Sequence, residues 1–208
     1  MSEAPRKTHW TDRYVDIASV ALISLASVLT ALCGYQSSLY ATQRTQLFSS
    51  ANVHRVTAAS YAGRSNALEI IDVGLFVQYI AAGTTGDATL QRYIVEHLRP
   101  EMRPAMNAWL ALKPGARPNS PLAMPEYKLA TDADAQRETA LAEGLFARAE
   151  EAGALSDRFV KATVTFATVS FLAAMSTKFF YPLHLVMIVL SAAIFLYGLV
   201  HIAQLRFI

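Results

Sequence analysis

The chain has 208 residues, room for one or two domains of ordinary size. Only 16% are charged against 53% hydrophobic, where a soluble domain carries about 25% charged residues, and charges vanish altogether from three long windows. A net charge of +2 without a basic stripe excludes nucleic acid as the partner, and a single cysteine, Cys33, excludes an intrachain disulfide.

Residues 1–14 form a polar N-terminal tail containing Arg6 and Lys7 and ending just after Arg13. The first charge-free window runs from Ile17 to Gln43, with Ile17 to Tyr35 its apolar part. About 20 helical residues cross a hydrocarbon core of about 30 Å, so residues 15–38 are read as a first transmembrane helix. A basic tail before an apolar run is also the layout of a removable signal. Bulky Leu32 ahead of Cys33 opposes lipoprotein processing, and an uncleaved anchor is expected.

From Gln36 to Ala82 there is no proline, and Leu47, Ala51, Ala58, Leu68, Ile71, Leu75 and Tyr79 recur at helical spacing. The first helix should therefore continue outward as a long stalk, closed by Gly83 as C-cap, with Asp87 as the N-cap of the next helix. Two short helices are expected at Ala88 to Leu98 and Glu101 to Leu112. Lys113 to Ala130 holds four of the eight prolines and reads as a loop. Thr131 or Asp132 should cap a returning helix with Asp134 as reciprocal partner, its apolar stripe passing through Leu141, Leu145, Ala149, Ala152, Leu155 and Phe159.

That helix runs into a second apolar window, residues 161–180, which reaches spanning length if the Lys161 ammonium snorkels to the headgroups. Phe179 to Pro182 make a tight turn into a third span, residues 182–205. The expected fold is an all-α integral membrane protein: three transmembrane helices, with residues 39–160 forming a long extramembrane helical hairpin and a small helical cap.

The segments GYQSSLYATQRTQLF (Gly34 to Phe48), IDVGLFVQYI (Ile71 to Ile80), RPEMRPAMNAWL (Arg99 to Leu110) and PLAMPEYKLA (Pro121 to Ala130) carry a resemblance. Together with the layout, the chain resembles a group of uncharacterised bacterial three-transmembrane-helix proteins with an extramembrane helical domain between the first and second membrane helices. The resemblance implies a bacterial inner-membrane location. It implies no activity and transfers no functional residue.

Basic residues near membrane ends favour the cytoplasmic side. Arg6, Lys7, Arg13 and Lys178 would lie on one side and Arg44, Arg158, Lys161 and Arg206 on the other, a tie. Weighting the compact tail places the N-terminus in the cytoplasm and the helical domain outside it.

The sequence lacks HExxH, GxSxG, CxxC and phosphate-loop motifs, so no catalytic residue, metal ligand or cofactor is assigned. His9, His54, His97, His184 and His201 are scattered, and the last two are read as interfacial residues at the ends of the third span. Small residues, by contrast, form stripes. Ser24, Ser27, Ala31, Gly34 and Ser38, with Ala21, lie along the first span, and Thr163, Ala167, Ser170, Ala174 and Thr177 along the second. Such stripes let helix backbones approach closely in lipid. Either the two pack on each other, or one of them meets a second copy or lines a pore.

Glu69 and Asp72 sit one turn apart in SNALEIIDVGLFVQYIAAG, Ser65 to Gly83, a run whose apolar side chains cover nearly the whole helix circumference. A helix apolar all round is expected to be buried, here by the returning helix, the cap or a neighbouring subunit. A buried Asp72 needs a partner, for which Arg64 or a basic residue of the cap or returning helix is a candidate. The expected function is that of a non-enzymatic, homo-oligomeric membrane scaffold or interaction module. Its partners would be the lipid bilayer and itself, with a further protein partner left open. The alternative is a pore-forming homo-oligomer with the first transmembrane helix lining the axis.

Overall fold

The computed structural model describes residues 10–179 and 183–205, with side chains from residue 16 onward. Among these residues the fold is all-helical: α1 (Trp10–Thr85), α2 (Ala88–Glu96), α3 (Met102–Ala111), α4 (Ala130–Ser176) and α5 (Leu183–Ala203), with two 3₁₀ turns at Pro114–Ala116 and Pro121–Ala123. Helices α1, α4 and α5 are each long and apolar enough to cross a membrane, with mean hydropathies of 2.2, 1.5 and 2.4 in their most apolar windows. Arg6, Lys7, Arg206 and most of the expected Phe179 to Pro182 turn lie outside the described residues.

Absence of proline lets α1 run unbroken for 76 residues, since every backbone N–H inside it finds its i−4 carbonyl. Most of its buried positions recur every seven residues, Ser19, Ala26, Cys33 and Tyr40, then Ala51, Ala58, Ser65 and Asp72, with Gln36 and Ala82 buried besides. A seven-residue repeat is the mark of one helix packing along another. The chain divides into two compact units, Met1–Phe48 with Phe146–Ile208, and Ser49–Leu145.

In the first unit Ala26, Cys33 and Tyr40 of α1 join Ala152, Phe159, Ala162, Phe166 and Val169 of α4 and Ile202 of α5 in one cluster. Small side chains from one helix accommodate rings from the next, as close packing requires. Tyr40 stacks on Phe159 with centroids 5.7 Å apart, and Phe166 meets Phe195 edge to face at 5.7 Å. The Ser156 hydroxyl donates to the Ser37 carbonyl at 3.0 Å, stitching α4 to α1 by a polar bond. Helix α5 seats on Phe166 through Gly198, where a Cβ would fall 2.8 Å from the ring.

In the second unit α1 and the start of α4 run side by side through small residues, Ala51, Ala58, Ala135 and Ala142. Two polar ties cross between them: His54 Nδ1 lies 2.6 Å from Glu138 Oε2, and the Ser65 hydroxyl donates to Asp132 at 2.6 Å. Beyond Ser65 the cap replaces α4 as the packing partner. Its core is Ile94, Leu98, Met102, Met106 and Trp109, with Leu75, Phe76 and Tyr79 of α1 packed against it. Met102 and Met106 are wholly enclosed, and burial of each contributes roughly 1.5–3 kcal/mol over exposure.

Several boundaries differ from expectation for identifiable reasons. Asp87 does cap α2, its Oδ1 accepting from Leu90 N at 2.9 Å. The left-handed residue ending α1, however, is Gly86 at φ 77°, so the helix passes through Gly83 to Thr85. Helix α4 begins at Ala130, and the Asp132 carboxylate binds Ser65 instead of capping it. Asp134 pairs with Arg137 one turn on, at 3.3 Å. Helix α4 stops at Ser176, four residues before the expected end of the second span.

Candidate functional site

The heptad that buries Ala51, Ala58 and Ser65 delivers the next member, Asp72, to the same inner face, where no part of it reaches the surface. At that height the facing element is no longer α4. The turn between α2 and α3 brings Arg99 across, and the Pro-rich loop brings Tyr127. Arg99 grips the carboxylate with both teeth of its fork, Nε donating to Oδ1 at 3.1 Å and Nη2 to Oδ2 at 2.7 Å. The Tyr127 hydroxyl donates to Oδ2 at 2.9 Å. This bidentate geometry is the strongest form of charge-assisted pairing.

The supporting shell is equally specified. Arg99 is held in the turn by its own carbonyl, which accepts from Met102 N and Arg103 N at 3.1 and 3.0 Å. Arg103 Nη2 in turn donates to the carbonyl of Glu96, the last residue of α2, and to that of Leu98 in the turn beyond it, neither of which has a helical partner there. Trp109 meets Phe76 edge to face at 5.4 Å and donates its indole N–H to Pro118 O at 2.8 Å. Arg117 lies 4.6 Å over the Trp109 ring and donates to the Leu110 and Leu112 carbonyls, fastening the loop to α3.

Electrostatics are set by this placement. The hydrogen bond to Asp72 outweighs burial and raises the Arg99 guanidinium above its ordinary value, so it stays charged. Burial, reinforced by the bond to Asp72, pushes the Tyr127 phenol well above its usual range. A carboxylate with three donors on it and no exposed surface is arranged to hold three chain segments together. It presents nothing to a substrate, and general acid or base work needs such access.

The structure sorts the residues singled out from sequence. Asp72 is buried and ion-paired, but its partner is Arg99; Arg64 is exposed, because it lies more than two turns away on a flank of the helix. Glu69 is also exposed, at the rim of a shallow depression lined by Asn66, Ile70 and Val73. Within this chain the returning helix and the cap cover the distal stalk on one side only, and the other side is open. Ile70 is 72% exposed and Val77 59%, with Ile71, Val73 and Ile80 also open.

The two small-residue stripes do not pack on each other. Ser24, Ser27, Ala31 and Ser38 are exposed and Gly34 half-buried, while neighbouring positions Ala26, Cys33 and Tyr40 make the contact with α4. On α4 the packing face is Phe159, Ala162, Phe166, Val169 and Ala173, leaving Ala167, Ala174 and Thr177 exposed and Thr163 and Ser170 half-buried. His184 is half-buried near the start of α5 and His201 near its end, the latter stacked on Tyr197 at 6.3 Å.

Arg99 and Tyr127 were not singled out as site residues. They do stand in the segments RPEMRPAMNAWL and PLAMPEYKLA, and an Arg before Pro100 in a helix-to-helix turn is the signal that could have marked it. Compared with protein families, curated proteins and solved structures, the chain has no match.

Proposed function

We propose that this chain is a multi-pass protein of the bacterial inner membrane, with its N-terminus in the cytoplasm, that acts without catalysis. It self-associates and presents its helical domain outside the cytoplasm as a scaffold or interaction module. The observation that carries the reading is the unused outer face of α1. Ser24, Ser27, Ala31 and Ser38 stand exposed along the apolar part of the helix, and Ile70, Val73, Val77 and Ile80 along its far end. In lipid a small-residue face lets helices approach closely, and in water an open row of Ile and Val is a surface that a partner covers. The buried Asp72 cluster supports the same reading, because it rigidifies the tip instead of opening a cleft.

Mass measurement of the full chain extracted into lipid discs without detergent tests this proposal. The expected particle contains two or more copies at physiological density. A single copy at every protein-to-lipid ratio overturns self-association.

A further inference from the structure

Ten residues of α1 from Val53 to Thr84, at alternating steps of three and four, share the side of the helix away from the Ala51, Ala58, Ser65, Asp72 seam. Every one of them is exposed and none is charged. Val56 and Val77 are among them, together with Ala67 and Ile70. The four charged residues of this stretch, Arg55, Arg64, Glu69 and Asp72, all lie off that row. The neighbouring helix shows what a water-facing surface in this unit looks like: α4 exposes Arg137 and Glu143. Same unit, same flanks, yet one outer face is charged and the other is not.

A second, independent observation is the pair of glycines in the row. A Cβ on Gly63 or on Gly74 would meet nothing within 4 Å inside the chain. Glycine inside a helix is unfavourable, so internal packing gives no reason for either. Close approach by another helix does.

We infer that a second copy of this chain packs parallel and in register along the α1 row from Val53 to Thr84, with Gly63 and Gly74 at the points of closest approach. The inference rests on the self-association proposed above and names its surface. An uncharged heptad row is complementary to itself, because in a parallel pair each residue meets its own counterpart and no charge is stranded. Anchoring both copies in one membrane supplies the parallel orientation. At 1.5 Å per residue the row is about 47 Å long, and a strip about 10 Å wide covers roughly 1,000 Å² over both copies, the size at which an interface becomes specific.

Disulfide trapping in native membranes tests it. Cys33 is buried, so the unmodified chain is the blank. Under mild copper-phenanthroline oxidation Ala67→Cys and Ile70→Cys should form covalent dimers at least tenfold faster than Glu143→Cys on the charged face of α4. Equal rates at all three positions overturn the inference. So does a lack of dimer at both row positions, and if those cysteines also resist maleimide, another protein or lipid occupies the row. Gly63→Leu with Gly74→Leu should weaken association in lipid discs at least tenfold, while Arg137→Leu, exposed on α4, leaves it unchanged. Undiminished association of the double variant also overturns the inference. A multimeric particle whose row cysteines never link refutes this surface alone; a single-copy particle refutes self-association with it.

Discussion

Removing either end of the Asp72–Arg99 pair should not cost the same. Asp72 has no exposed surface, while 21% of the Arg99 side chain is exposed. In Arg99→Met the carboxylate loses two of its three donors and stays buried with only the Tyr127 hydroxyl, the situation in which a broken ion pair costs about 3–5 kcal/mol. In Asp72→Asn the guanidinium is left over, but it already touches water and can swing further out, so the cost is that of the lost charged hydrogen bonds, about 1–3 kcal/mol. The difference of about 2 kcal/mol is a factor of roughly 30 in the unfolding equilibrium of the cap. The assay is urea titration of the full chain in lipid discs, followed by Trp109 fluorescence in a Trp10→Phe background, which leaves one indole, set in the cap core. If Asp72→Asn proves as costly as Arg99→Met, or if both cost less than about 1 kcal/mol, then burial of the carboxylate is not what makes Arg99 necessary.

The same titration run against pH reports on Tyr127. Its folded-state value is raised, so the folded protein keeps a proton that the unfolded chain releases above about pH 10. The Tyr127 contribution should be constant below that pH and fall as pH rises beyond it, and Tyr127→Phe should flatten that limb. Gly86→Ala places a side chain at φ 77° and should destabilise the α1–α2 junction by about 1–2 kcal/mol, read from the same Trp109 signal; no change would mean that the left-handed turn is not required. Gly198→Ala forces a Cβ against Phe166 and should lower stability by about 1–3 kcal/mol in a thermal inactivation series in lipid, whereas an unaffected midpoint would show that α5 does not seat on that ring.

Much of the fold was legible because its determinants are local. A proline-free run with apolar residues at helical spacing becomes α1, and Asp87 ahead of Ala88 becomes the α2 cap. Proline density between Lys113 and Ala130 correctly marks the only long connection among the described residues. What was not legible depends on partners distant in sequence. Arg64 is close to Asp72 along the chain but points elsewhere, while Arg99, 27 residues away, is delivered by a turn whose direction no local pattern encodes. Ile70 and Val77 illustrate a different limit. Their apolarity says that the face should be covered, but not that the covering is absent from this chain's own hairpin and cap. Likewise Ser24 and Ser27 belong to a stripe turned by roughly 100–160° from the seven-residue seam of Ala26 and Cys33, and residue size alone does not say which of the two faces packs inside the chain.

The most direct test of self-association through the outer face of α1 is a distance. A single spin label at Ser60, on the uncharged row, would be measured by pulsed dipolar spectroscopy on the full chain in lipid discs. Paired helices have axes about 8–10 Å apart, so one short, narrow inter-copy distance is predicted. A signal with no dipolar modulation beyond the random background would contradict self-association through this face.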